Sequence, residues 1–204
     1  LSEAQAREFA RIAQDHGLAI SGLHWLLVAP AGLSMVSSDA ALRRRTADAL
    51  LHLVGLCAAM GGSYLVHGSP KQRSVPAGET HATAMDRARE CLARAASAAQ
   101  AHGVTYCLEP LARAETDFIN TVAEAVAVVD DIASPAFKTM IDCSAAGQSE
   151  AEPVADLIRR WWPTGQLAHV QVNDPNRQGP GQGAMAFAPI LAALHDVGYA
   201  GVLA

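Results

Sequence analysis

Glycine closes one helical pattern after another in this chain, and an apolar strand follows each time. A helix pattern over Ser2–His16 stops at Gly17, and the strand Leu18–Leu23 comes next. Helix Asp39–Met60 stops at Gly61-Gly62 before strand Ser63–His67, and helix Thr80–His102 stops at Gly103 before strand Val104–Glu109. Helix Thr121–Ile132, with Asn120 as its cap, leads to strand Phe137–Asp142, and helix Pro153–Trp162 leads to strand Gln166–Val172. Helix Ala188–Val197 stops at Gly198, and a last strand opens at Gly201. A glycine past the last turn takes the left-handed conformation without steric cost, so it ends a helix sharply. Repeats of about thirty to forty residues with near-continuous apolar strands imply a parallel sheet covered by helices on both faces.

Two architectures satisfy that order: an open doubly wound sheet and a (β/α)8 barrel. No glycine-rich nucleotide fingerprint follows any strand, which lowers the first. Polar residues gather at the C-terminal end of every strand, which raises the second. The expected fold is therefore a TIM barrel, incomplete in this chain, with about six of its eight βα units present. Residues 1–204 are expected to form a single domain, with two strands preceding Leu1 and more chain following Ala204.

Half of the residues are apolar and 17% are charged, the balance of an ordinary globular protein rather than a disordered one. A net charge of −5 without a long basic run argues against a nucleic-acid surface. The runs Arg43-Arg44-Arg45 and Arg159-Arg160 lie in helical patterns and read as solvated faces. Cys57, Cys91, Cys107 and Cys143 sit in apolar stretches without a CxxC, which reads as buried thiols in a reducing compartment. No leader or spanning segment is visible, so the expected location is the cytoplasm and no membrane partner is expected.

The chemistry concentrates at strand ends. Glu109 follows the strand Val104–Leu108 and precedes Pro110, Asp142 ends Met140-Ile141, and His169, Gln171 and Asn173 share one face of a third strand by alternation. Carboxylates and amides on consecutive strand ends are costly to bury unless they share a partner, and a divalent cation fits. Asp142 reads alternatively as a helix N-cap, and Glu109 as the partner of Arg113. Glu115 follows in the loop after Glu109, and Arg177 lies in the rigid run Asp174–Gly183, where a guanidinium can fork onto oxygen atoms. His67 and Lys71, with Arg73, follow the second strand, and His24 and Trp25 end the first; all are candidates for contact with substrate. Trp25 reads as a sugar-stacking wall or as a plug. No Ser-His-Asp or Cys-His arrangement is legible.

These residues resemble the xylose isomerase-like TIM-barrel superfamily, the sugar phosphate isomerase/epimerase group. That group includes ketose 3-epimerases, hydroxypyruvate isomerase, inosose dehydratase, 3-dehydroshikimate dehydratase and endonuclease IV. The resemblance rests on Leu108-Glu109-Pro110-Leu111 with Arg113 and Glu115, on Ile141-Asp142, on residues 169–177, on Pro180-Gly181-Gln182-Gly183 with Phe187, and on Gly198-Tyr199-Ala200-Gly201. It implies that Glu109 is a metal-binding acid/base, that Asp142 binds metal, and that Glu115 and Arg177 contact substrate. It also implies a second catalytic glutamate beyond Ala204. Two positions depart from the ketose epimerases: Ala145 stands where they carry a histidine, and Gln171 stands in the slot of their metal histidine, with His169 one strand step earlier.

The expected protein is a divalent-metal-dependent isomerase or epimerase of a small sugar-like ketone, with Glu109, Asp142, Gln171 and His169 as ligands. Mn²⁺ or Mg²⁺ is the expected ion, with Co²⁺ and Zn²⁺ as alternatives, and homo-oligomerisation is left open. A dehydratase is the alternative reading, favoured by Gln171 and Ala145. A non-catalytic sugar-binding barrel and an endonuclease IV-like hydrolase rank below it.

Overall fold

Seven α-helices and five β-strands alternate along the chain in a computed structural model that describes residues 1–204. The elements are α1 (Glu3–Asp15), β1 (Gly22–His24), α2 (Ala40–Ala59), β2 (Tyr64–His67), α3 (His81–His102), β3 (Thr105–Leu108), α4 (Val122–Ile132), β4 (Phe137–Asp142), α5 (Cys143–Ser149), α6 (Val154–Trp161), β5 (Leu167–Gln171) and α7 (Phe187–Asp196). The sheet order is β1-β2-β3-β4-β5, the chain order itself, which crossover helices between parallel strands produce.

The chain divides into two compact units. The first comprises residues 1–107 with 132–137. Its α1 is opened by a capping box in which Ser2 and Gln5 satisfy each other's backbone N–H groups. Ala6 and Ala10 of α1 pack on Leu56 and Met60 of α2, and Ile20 and Leu23 close against the same cluster. β1 and β2 pair in parallel with Leu23 opposite Leu65 and His24 opposite Val66. The ladder begins at Gly22, later than the expected Leu18, because Leu18 N–H closes α1 on Ala13 O and its side chain is exposed. Gly22 also stands where a Cβ would lie 2.4 Å from Tyr64 O, so only glycine admits this strand approach.

The second unit comprises residues 108–131 with 138–204. Its core gathers Ile141 of β4, Val170 of β5, Val154, Leu157 and Ile158 of α6, and Phe187, Ile190 and Leu194 of α7. β4 and β5 pair in parallel with Met140 opposite His169 and Asp142 opposite Gln171. A register shift at Thr139/Met140 absorbs Ala168, since Thr139 faces Leu167 while Met140 faces His169. Beyond β5, Val172 N–H donates to Ala204 O at 2.7 Å and Val170 bridges Leu203 in parallel, where the sequence expects its last strand to begin. No helix is long and apolar enough to cross a membrane.

Candidate active site

The second unit holds most of the candidate residues, and the core fixes which way they point. Ile141, Val170 and Val172 all pack into the helix-facing cluster. Alternation then sends Met140, Asp142, His169, Gln171 and Asn173 to the opposite face. His169 and Gln171 of β5 and Asn173 just beyond it thus share a face, as the alternation predicts.

Register brings Asp142 and Gln171 level with one another. His169 lies two residues deeper, roughly 7 Å along the strand, opposite Met140 and 2% exposed. The structure therefore pairs Gln171 rather than His169 with the aspartate. Gln171 is half-buried, and its amide enters no hydrogen bond. Glu109 directly follows β3 and is 7% exposed, as is Asp142.

Asp142 takes the role that the sequence offered as an alternative: it caps a helix. Its Oδ1 accepts from Ala145 N–H at 2.7 Å at the start of α5, and its Oδ2 accepts from Asn173 Nδ2 at 3.0 Å. Burial pushes the Asp142 carboxyl above the usual carboxylate range, and the nearby charge of Glu115 pushes the same way; the bonds from Ala145 and Asn173 pull against both. Cys143, next in the chain, is buried and its thiol is pushed up to about 12. The other cysteines are likewise buried and unbridged.

The loop after Glu109 is braced from inside. Asn120 Nδ2 donates to Leu111 O at 2.8 Å and to Thr116 O at 2.9 Å. Asn120 is therefore a loop brace and not the cap of α4. The cap is Thr121, in a reciprocal arrangement in which Glu124 N–H donates to Thr121 Oγ1 and Thr121 N–H donates to Glu124 Oε2. Glu115, held on this loop, accepts from Arg177 at 2.9 Å, and this bond raises the guanidinium further above its ordinary range. Arg177 has φ of 64°, a left-handed conformation uncommon for a side chain of its size. The loop carrying it turns around buried Asp174, whose Oδ2 accepts from Met185 N–H at 3.0 Å and whose backbone oxygen accepts from Arg177 N–H at 2.8 Å. Arg113 is exposed and donates its backbone N–H to Ser149 Oγ.

The first unit places its candidates differently. His24 and Trp25 are exposed at the end of β1, with ring centroids 6.2 Å apart. Trp25 has φ of 57° and is 60% exposed, so neither a plug nor a core role describes it. Lys71 is exposed on the short turn Pro70–Gln72. His67, expected as a substrate contact, lies inside the packed first unit. It is fully buried, and its Nδ1 lies 2.6 Å from Tyr106 Oη while its Nε2 has no hydrogen-bond partner. The cause is phase: Leu23 packs toward the helices, its register partner Leu65 does likewise, and His67 is two residues on. Burial, and to a lesser extent the charge of buried Arg73, pull His67 down to about 3, so the ring is neutral.

No three His, Cys, Asp or Glu side chains converge on one point. A cation here would therefore draw on mixed donors. The chemistry of the set fits a hard divalent ion: a carboxylate destabilised by burial, an amide oxygen beside it in register, and a buried glutamate at the end of β3. The residues that sequence reasoning undervalued are Asn173, which it placed on the right face without a role, and the seven-residue α5 that Asp142 opens. The signal for α5 was an aspartate followed by the small run Cys143-Ser144-Ala145-Ala146.

A family profile described as xylose isomerase-like TIM barrel matches residues 1–204. A D-psicose 3-epimerase of Agrobacterium fabrum is 36% identical over 101 residues, covering 50% of this chain and 34% of that protein. An L-ribulose 3-epimerase of Mesorhizobium japonicum is 31% identical over 168 residues, covering 80% of this chain and 54% of that protein. The chain thus spans a third to about half the length of these curated relatives. A crystal structure of a D-psicose 3-epimerase in the presence of D-fructose superposes with a TM-score of 0.83 at 26% identity, covering 100% of this chain and 69% of that one. The fold is that of a TIM barrel, of which these residues carry five strands.

Proposed function

Because the chain belongs to the xylose isomerase-like TIM-barrel family, we propose that it acts as a divalent-metal-dependent epimerase or isomerase of a small ketose. The observation that carries this reading is the registered pair Asp142 and Gln171 at the C-terminal edge of the sheet, on the face opposite the apolar core. Active sites of this architecture gather at that edge. The kinship with 3-epimerases of D-psicose and L-ribulose supports a ketose as substrate and inversion beside the carbonyl as the reaction.

Glu109, Asp142 and Gln171 would hold the ion, with His169 lining the floor beneath them. When bound, Mn²⁺ or Mg²⁺ would polarise the ketone as a Lewis acid. Glu109, buried at the end of β3, takes the proton from the carbon beside the carbonyl as the general base. Asp142 would offer its carboxylate to the ion, the charge that burial opposes and that the bonds from Ala145 and Asn173 favour. Arg177 and Glu115 orient the sugar hydroxyls from the adjoining loops. Return of the proton to the same carbon from the other side gives epimerisation.

The test is product analysis with added Mn²⁺ over a panel of ketopentoses, ketohexoses, inososes and dehydroshikimate. The expected result is a C3-epimer of a ketose. An unsaturated product from an inosose or dehydroshikimate, with ketoses untouched, would replace this reading by dehydration.

A further inference from the structure

Asn173 lies one step beyond Gln171 on the same face, and both ends of its carboxamide are engaged. Its Nδ2 donates to Asp142 Oδ2 at 3.0 Å, and its Oδ1 accepts from Ser144 N–H at 3.3 Å. Asp142 meanwhile receives Ala145 N–H on its other oxygen at 2.7 Å. We propose that Asn173 is a positioning residue that locks the Asp142 carboxylate in one orientation for the divalent ion.

The chemistry of the contact selects asparagine. One end must accept from a backbone N–H while the other donates to a carboxylate, and a carboxamide of this length supplies both. Aspartate at 173 would satisfy Ser144 but set two carboxylates against each other. Leucine would leave Asp142 Oδ2 and Ser144 N–H without this partner. The amide orientation follows from the same logic, since the flipped group would turn oxygen toward oxygen. With one lone pair of each Asp142 oxygen used inside the fold, the remaining directions of the carboxylate are fixed before an ion arrives. Partners of this kind fix ligand orientation, and losing one typically costs about 10- to 100-fold in metal affinity.

This inference rests on the metal reading above, and the experiment separates the two. Mn²⁺ alone is titrated by electron paramagnetic resonance of the free ion into the wild type, N173A, D142N and the double variant. The expected result is an affinity about 10- to 100-fold weaker in N173A, with the metal-free protein still folded and its melting temperature lowered by only a few degrees, as the loss of two hydrogen bonds implies. In the D142N background, N173A should then have no further effect, because the residue acts through Asp142. Wild-type affinity in N173A, or a full additional loss in the double variant, would overturn the proposal. Absence of Mn²⁺ binding by the wild type would overturn the metal reading itself. Should N173A not fold, the wild type still decides: the Asn173 side-chain amide resonances should shift saturably on titration with Mg²⁺, and resonances that stay fixed while Mg²⁺ binds would refute the assignment.

Discussion

Arg177 bonds Glu115 at 2.9 Å across 62 residues of sequence, joining the loop after β5 to the loop after β3. The arginine side chain is 72% exposed and the glutamate 28%, so water screens most of their attraction. The pair is therefore a weak contributor to stability, within about 1 kcal/mol. Its value lies in where it holds two loops. Arg177→Ala should move the melting temperature by no more than about 4 °C, because exposed pairs contribute so little. The same variant should lower kcat/KM for a ketose about tenfold or more, since losing an orienting guanidinium removes transition-state binding. Calorimetry and steady-state kinetics on one preparation check both; a large stability loss with intact kinetics would make the pair structural.

Asp142 should cost the metal-free protein stability at neutral pH. Burial raises its folded pKa above the unfolded value, so between the two the folded state binds more protons. Its contribution is present below the unfolded pKa and is lost as pH rises through the folded one. Asp142→Asn removes that liability and keeps an oxygen for Ala145 N–H. Without metal, the variant should melt at or above the wild-type temperature at pH 7, with the difference shrinking as the pH falls below the carboxylate range. Added Mn²⁺ should raise the wild-type melting temperature and raise that of the variant far less. A metal-free variant several degrees less stable would contradict this balance.

The βα order was legible because most units repeat the same helix, glycine and strand grammar, Ala133 standing where the others have glycine, and the polar face of β5 and the residues just beyond it was legible because His169, Gln171 and Asn173 alternate with Val170 and Val172. The level of each residue was not. The shift at Thr139/Met140 sets Gln171, not His169, beside Asp142, and a single absorbed residue such as Ala168 leaves no trace in an apolar strand. The burial of His67 was hidden for a related reason. Tyr64-Leu65-Val66-His67 has no polar alternation to show its phase, and the pairing of Leu65 with Leu23 turns His67 toward the helices. Short α5 carries too few residues for a helical period to emerge.

His67 should leave a signature in acid. Its folded pKa is lowered to about 3 by burial, below the unfolded value near ~6.5. The unfolded chain binds the extra proton in that window, so stability is intact above about pH 6.5 and falls as the pH drops toward 3, by about 1.4 kcal/mol per pH unit for this group. His67→Gln should flatten the slope of unfolding free energy between pH 6 and pH 4 by about that amount. Urea titrations at a series of pH values measure it, and identical slopes would place the buried charge cost elsewhere.

Gly183 is predicted to be irreplaceable for the Arg177 loop. A Cβ there would lie 2.0 Å from Asp174 Oδ1, displacing the carboxylate that accepts from Met185 N–H. Gly183→Ala should raise KM severalfold by moving Arg177, while Gly179→Ala, whose added methyl meets nothing nearer than Gln182 Oε1 at 3.5 Å, should be nearly silent. Equal kinetics for the two variants would detach this loop from substrate binding.

Proton removal by Glu109 is tested most directly by incubating D-psicose or L-ribulose in D₂O with Mn²⁺ and following deuterium at the carbon beside the carbonyl by NMR. The wild type should wash deuterium into C3, and Glu109→Gln, which keeps the shape but loses the base, should wash in none. Undiminished exchange in Glu109→Gln, or none in the wild type with metal bound, would contradict the account.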